Sequence, residues 1–253
     1  TGENWTFVDY LKGFSYLTFE GGKFSKSEHR GIFADDAIKE FPADYWRYWL
    51  MSNAPEGSDS SFTFESFVNT INKDLNGVLG NFAQRVMKMT ASKLGSVVPA
   101  KTAWQPADKA LLDTLQTRVN DYIKYMNNME FRKALNELRA IWVEGNNYIS
   151  STEPWTVIKE DEARAATILN LCLNLVRIYA ILSAPIMPQT AAKMMAKFNL
   201  TPDDMPLIKD FDVAKEAEAL AVGTAFETGE ALFERIAPEK MTELQQKYGG
   251  SNG

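Results

Sequence analysis

Between residues 163 and 182 the chain places apolar side chains on most faces of a helix, interrupted by Arg164, Asn170, Asn174 and Arg177. A helix that is apolar nearly all round must be enclosed by other elements. This segment, read as a helix over 160–183 and ended by Pro185 and Pro188, is therefore expected at the centre of a bundle. With those four interruptions it falls short of the ~18 uninterrupted apolar residues of a membrane helix, so no span is expected.

The enclosing helices are legible in the period of the remaining apolar residues. Phe67, Ile71, Leu75, Val78, Leu79, Phe82, Val86 and Met89 predict one long amphipathic helix over 66–95. Leu111, Leu115, Val119 and Tyr122 mark a second helix. Phe131, Leu135, Leu138 and Trp142 mark a third, with Asn127-Asn128 as the break between the two. Pro99 and Pro106 make 95–107 a connector, and shorter helices are expected over 189–198 and 213–220. Before residue 65 the pattern differs. Residues 5–20, rich in Phe, Tyr, Thr and Trp, read as a strand pair or a strand with a turn. Gly21-Gly22 opens a polar loop over 23–30, a helical pattern occupies 34–51 with a restart at Pro42, and Phe62 and Phe64 flank Thr63 as in a short strand. The fold class is thus mainly α: a small α/β piece over 1–65, a helix bundle over 66–238 and a frayed tail over 239–253.

Composition excludes several chemistries. A lone cysteine, Cys172, forbids an internal disulfide and is expected as a small buried hydrophobe. A lone histidine, His29, forbids a Cys/His zinc cluster, and no metal site is expected. The opening at Thr1, with no charged and apolar leader, is read as that of a piece of a longer protein in a reducing, cytoplasmic setting. The net charge of −6 argues against a polyanionic partner until its distribution is considered. Residues 203–239 hold ten acids and three bases, whereas residues 1–200 hold 22 of each. Within the neutral part, residues 72–95 carry Lys73, Arg85, Lys88 and Lys93 against Asp74 alone. A local basic face suits RNA, and the acid run after 203 is expected to be solvated surface.

Three short stretches carry candidate chemistry. In Gly22-Lys23-Phe24-Ser25-Lys26-Ser27, two lysines three apart alternate with serines on a glycine-hinged loop. Ammonium groups, hydroxyls and loop amides together suit a polyphosphate, although such a run is also what a solvated turn looks like. Asn81 and Arg85, four apart, share a helix face. An amide beside a guanidinium can read the edge of an unstacked base, while an isolated surface arginine needs no such role. Trp155 follows Pro154 closely after Asn147-Tyr148, as either a packing residue near a helix start or a rigid stacking platform.

Taken in order, these stretches resemble one family. The loop is similar to the KMSKS signature of class I aminoacyl-tRNA synthetases, with Phe24 in place of Met and Glu28-His29 intervening before Arg30-Gly31. Residues 44–85 resemble the methionyl-tRNA synthetase family more narrowly, through an aromatic Arg-Tyr segment, a Pro-x-Gly-x-Asp loop and the series Asn72, Asp74, Leu75, Asn76, Gly80, Asn81 and Arg85. Pro154-Trp155 after Asn147-Tyr148 completes the pattern. The resemblance implies an ATP-binding loop of Lys23, Phe24, Ser25, Lys26 and Ser27, with Lys23 and Lys26 catalytic and Lys26 the more important. It implies anticodon contacts by Asn81, Arg85, Pro154 and Trp155, a stem-contact role for 1–65 and an anticodon-binding role for the bundle.

The resemblance also implies a methionine–tRNA ligase as the parent protein, using ATP and Mg²⁺, with tRNA(Met) as partner, an upstream Rossmann catalytic domain and no membrane. A chain without the nucleotide pocket is expected to be inactive alone and to bind no cofactor. Two other readings compete. One is the same region of another class I synthetase, which shares the lysine–serine loop and bundle but need not share the Asn-x-x-x-Arg pair or the Pro-Trp. The other is a helical protein-interaction module without RNA, which the acidic net charge favours and the basic face does not.

Overall fold

A computed structural model describes residues 2–250. Residues 2–16 run without regular structure. The strand pair expected across 5–20 is reduced to one short strand, β1 (Leu17–Phe19), since Phe7, Val8 and Leu11 find no apolar surface and stay exposed. β1 pairs in parallel with β2 (Ser60–Phe62), from Leu17↔Ser60 to Phe19↔Phe62. Between the strands lie α1 (Ala34–Glu40) and α2 (Ala43–Ser52), parted at Pro42, which has no amide hydrogen to continue a helix.

Aromatic packing fastens this piece to the start of the bundle. Phe19 stacks on Phe62 with ring centroids 5.0 Å apart, Trp49 meets Phe62 edge-on at 4.8 Å, and Trp46 stacks on Phe67 at 4.4 Å. Both indoles also donate hydrogen bonds, Trp46 to the Ala37 carbonyl (2.9 Å) and Trp49 to Ser66 Oγ (3.2 Å). Buried aromatic pairs of this geometry contribute beyond their area. One core therefore runs unbroken from Phe19 to Tyr248.

The long helix expected over 66–95 is continuous in three parts: α3 (Phe64–Thr70), a π-helical segment (Ile71–Gly80) and α4 (Asn81–Leu94). Thr63 caps it by accepting the Ser66 amide (3.0 Å). Phe67, Ile71, Leu75 and Leu79 recur every four residues along α3 and the π segment, and all four side chains are fully buried. At Phe82 and Val86 the helix is α again.

Next come α5 (Pro106–Asn127), α6 (Phe131–Thr152), the short α7 (Pro154–Val157), α8 (Glu162–Ser183), α9 (Pro188–Ala196), α10 (Val213–Glu216) and α11 (Pro238–Tyr248). The α8 helix is the enclosed one: every residue from Thr167 to Ser183 is buried. By length and mean hydropathy it could cross a bilayer, but 94% of its apolar window is buried inside the protein. Gly145 lets α6 approach it, since a Cβ there would lie 2.1 Å from the Tyr179 hydroxyl, which donates to the Ile141 carbonyl (3.0 Å). Cys172, Met187, Met194 and Met195 are all fully buried in this core. The acid run is surface at Asp203, Asp204, Asp210 and Asp212, but Glu216 is buried and pairs with Arg177 of α8 at 2.6 Å.

The tail expected to fray from residue 239 is instead helical through Tyr248, and residues 251–253 lie outside those described. Leu244 and Tyr248 of α11 are buried, and Glu40 of α1 accepts from Lys240, Lys247 and the Tyr248 hydroxyl at 2.8, 2.8 and 2.9 Å. Partners some 200 residues away in sequence leave no local spacing by which this docking could be read.

The hydrogen bonds from Lys240 and Lys247 hold the Glu40 carboxyl down at about 2, from an ordinary 4.5. A carboxylate depressed in the folded state contributes stability above its unfolded value and loses it as pH falls toward the folded one. Docking of α11 should therefore weaken as pH drops from ~5 to ~2. Glu40→Gln should mimic this at neutral pH, costing about 1 kcal/mol because the lysines remain partly hydrated. Amide exchange over residues 238–248 measures both; unchanged protection in the variant would mean that Leu244 and Tyr248 hold the helix unaided.

Candidate nucleic-acid interface

The lysine–serine loop is built from two successive tight turns. Phe19 and Gly22 exchange backbone hydrogen bonds (2.8 and 3.1 Å) around Glu20 and Gly21, both with positive φ. Ser25 and Arg30 then pair in both directions at 2.9 Å, which leaves Lys26 to His29 as the tip. His29 closes the tip in the left-handed region (φ 50°). The Glu28-His29 insertion is thus the turn that returns Arg30 to Ser25. Arg30 lies over Gly22, where a Cβ would come within 2.1 Å of its guanidinium, so this arginine packs within the loop.

Lys23, Phe24, Lys26 and Ser27 are exposed, and Ser25 is half-buried with its hydroxyl 3.3 Å from that of Ser27. Among the described residues, neither Lys23 nor Lys26 has an acidic partner. A cavity of about 630 Å³ adjoins the loop, lined by Phe24, Ser25, Lys26 and Arg30 on one side and by Phe33, Asp36, Lys247 and Tyr248 on another. The loop and α11 meet directly, as the Gly31 amide donates to the Tyr248 carbonyl at 3.1 Å. Of the two ammonium groups on this lining, Lys26 has no acidic partner among the described residues and Lys247 is engaged by Glu40, while Asp36 adds a carboxylate, so the lining is basic on balance.

The second site lies on α4 and α7. Asn81 is exposed at the start of α4, and Arg85 and Lys88 follow at helical spacing on the same side. Arg85 is half-buried, with its guanidinium 4.5 Å above the ring of Trp155 and Nη1 3.4 Å from Ser150 Oγ. Trp155 is half-buried and Pro154 buried, so the proline anchors the turn and the indole faces outward in part. The structure therefore brings Arg85 and Trp155 together. It does not bring them to the lysine loop, whose cavity has no lining residue on α4 or α7.

The other residues of the Asn-x-Asp-Leu-x-Asn series serve the scaffold. Asn72 exchanges two 2.8 Å hydrogen bonds with the backbone of Ile236, and Asn76 donates to the Phe233 carbonyl (3.1 Å). Asp74 accepts from Arg139 Nε at 2.6 Å, which removes the single acid from the exposed basic face. Sequence reasoning missed Asn146, which donates to the Val78 carbonyl (3.2 Å) and ties α6 to the π segment just before Asn81. Burial pushes the Cys172 thiol up, so it stays a neutral core residue. Among the described residues no three His, Cys, Asp or Glu side chains lie close enough together to hold a metal.

Comparison with known proteins is consistent along the whole chain. A family model described as the anticodon binding domain of methionyl tRNA ligase matches residues 98–253, and one for class I tRNA synthetases (M) matches residues 1–87. A methionine–tRNA ligase of Ruegeria pomeroyi is 47% identical over 250 residues, covering 99% of this chain and 43% of that protein. That of Paracoccus denitrificans is 46% identical over 253 residues, with 100% and 44% covered. The chain thus spans less than half the length of these relatives. Among solved structures, Mycobacterium tuberculosis methionyl-tRNA synthetase in complex with methionyl-adenylate superposes with a TM-score of 0.77 at 30% identity, over 87% of this chain and 43% of that one. The free form of the same protein gives 0.74 at 28% identity, over 88% and 43%. Another class I synthetase and a helical interaction module are thereby set aside: the chain belongs to the methionyl-tRNA ligase family and carries its anticodon-binding domain.

Proposed function

We propose that this chain reads the anticodon of a methionine-accepting tRNA through Asn81, Arg85 and Trp155, and that its Lys23 and Lys26 serve ATP-dependent methionine activation in the longer protein. The observation that carries the reading is the Arg85 guanidinium over the Trp155 ring beside an exposed asparagine. A tRNA base has a π-face and an edge. The indole offers a surface to the face, and the Arg and Asn side chains offer donors and an acceptor to the edge. Arg85 already covers one face of Trp155, so a base either takes the other face or displaces the guanidinium. Pro154 restricts the turn and lowers the entropy lost on binding.

The loop's part is electrostatic. In adenylate formation the methionine carboxylate attacks the α-phosphorus of ATP and pyrophosphate leaves. Lys23 and Lys26, unpaired and exposed, are suited to meet the charge that grows on the leaving group. Magnesium would accompany the phosphates; no cluster among the described residues fits it as a resident ion, so no protein ligand is assigned to it. The partners on this reading are tRNA(Met) and the catalytic domain of the longer protein, and its setting is the cytoplasm, where such enzymes work.

Binding of an anticodon stem-loop to this chain tests the first half. Trp155→Ala should cost roughly 1–3 kcal/mol of affinity. A steep fall of affinity with salt should accompany it, since phosphate contacts release counterions. Arg85→Ala should instead erode the preference for the cognate base by about 1–3 kcal/mol, read on stem-loops differing at one position. Equal losses on cognate and non-cognate loops would reduce Arg85 to a phosphate contact. For the second half, Lys26→Ala in the full-length protein should slow methionine-dependent ATP–pyrophosphate exchange by about 10²-fold or more with methionine affinity nearly unchanged. A matching loss of methionine affinity would make the loop structural.

A further inference from the structure

Trp155 stands on α7, a helix of four residues, too short to hold its own orientation. The chain enters that helix through Glu153, which is left-handed at φ 41°. The groups that fix the segment lie on either side of it. Tyr148, near the end of α6, donates its hydroxyl to Asp108 at 2.5 Å. Arg164, in the first turn of α8, donates two hydrogen bonds to the same carboxylate at 2.6 and 2.7 Å. The Gln105 amide supplies a fourth donor at 2.9 Å, so Asp108 also closes the capping box of α5. Asp108 is completely buried, and Arg164 is nearly so. Burial pushes the Asp108 carboxyl up, but the bonds from Arg164 and Tyr148 outweigh it and keep the group below its usual range.

A buried ion pair with this many donors is costly to assemble, and an apolar cluster of equal volume would serve stability as well. What an apolar cluster cannot supply is direction. Tyr148 precedes Trp155 by seven residues and Arg164 follows it by nine, so a single carboxylate sets where the intervening turn begins and ends. Ser150, which touches Arg85, lies on the same bracketed stretch. We propose that Asp108, Tyr148 and Arg164 are positioning residues for the Trp155–Arg85 platform, holding both ends of the segment that carries the indole. The inference rests on the RNA-reading role of Trp155 proposed above.

A double-mutant cycle on this chain tests it, with an anticodon stem-loop complementary to the methionine codon as probe. Tyr148→Phe removes one hydroxyl and leaves the Asp108–Arg164 pair intact. It should weaken binding about three- to tenfold, the equivalent of one lost hydrogen bond. In a Trp155→Ala background it should weaken binding no further, because the group it positions is gone. Arg164→Lys keeps the charge but loses the two-pronged geometry, and should repeat the pattern if Tyr148→Phe melts too early to be assayed. Thermal melts of all variants confirm that folded protein is compared. Equal losses with and without Trp155, or no loss at all, would overturn the inference while leaving the reading of Trp155 standing. No effect of Trp155→Ala itself would overturn both.

Discussion

From Thr167 to Ser183 the central helix is wholly cut off from water, and that enclosure decides what its polar side chains must do. A buried polar group without a partner costs several kcal/mol, so each has to find one inside the protein. Asn170 donates to the Pro99 carbonyl at 2.8 Å, Asn174 accepts the Leu220 amide at 2.9 Å, and Arg177 pairs with Glu216 at 2.6 Å. Thr167 accepts the Thr102 amide at 2.9 Å, and Arg164, one turn earlier, reaches Asp108. The Ser183 hydroxyl is the one on this stretch that goes without. Apolar burial drives the bundle together but is indifferent to register. These five side chains supply the register: two hold the connector after α4, two hold the chain around α10 and Arg164 holds the start of α5, each at a fixed height on α8.

The same logic explains why the irregular stretches are ordered. The connector after α4 and the chain around α10 have little regular structure of their own. Their backbone groups are satisfied by α8, and by each other where Val98 pairs with Thr224 and Gly223 at 2.8 and 2.9 Å. At the other end of the chain the two-stranded sheet is far too small to stand alone. It is carried by the aromatic cluster on α2 and α3 and by the return of α11.

Much of this is legible in the sequence because it is local. Helical periods show where apolar stripes run, and prolines and paired asparagines show where they stop, so the four main helices can be placed within a few residues. The Asn81–Arg85 spacing puts both on one face without any knowledge of the rest. Pairing over long separations is illegible. Nothing in the letters links Glu40 to Lys247, Asn72 to Ile236 or Asp108 to Arg164, since any surface carboxylate or amide would look the same. That is why the last helix reads as a frayed end, and why Glu216, in a run of acids, reads as solvated. Residues 5–14 mislead in the opposite direction: their aromatic composition favours a strand, but a strand also needs a partner, and these residues pair with no strand among the described residues.

On the proposed reading, the two candidate sites divide according to what each would have to do. A surface that discriminates between bases must be settled before the ligand arrives, because disorder resolved on binding is subtracted from affinity. On α4 and α7 the groups are accordingly held: Pro154 is buried, Arg85 is laid on Trp155 and Ser150, and Asn146 braces the helix just ahead of Asn81. Charges that serve a transition state gain by the opposite arrangement, meeting their target most strongly once negative charge has moved. On the proposed reading Lys26 fits this, being unpaired at the bare tip of a loop whose base is gripped by Arg30 over Gly22 and Gly31 against Tyr248, while Lys23, also unpaired, stands at that base. The rigid part of the loop therefore ends just before Lys26, and among the described residues neither lysine has an acidic partner.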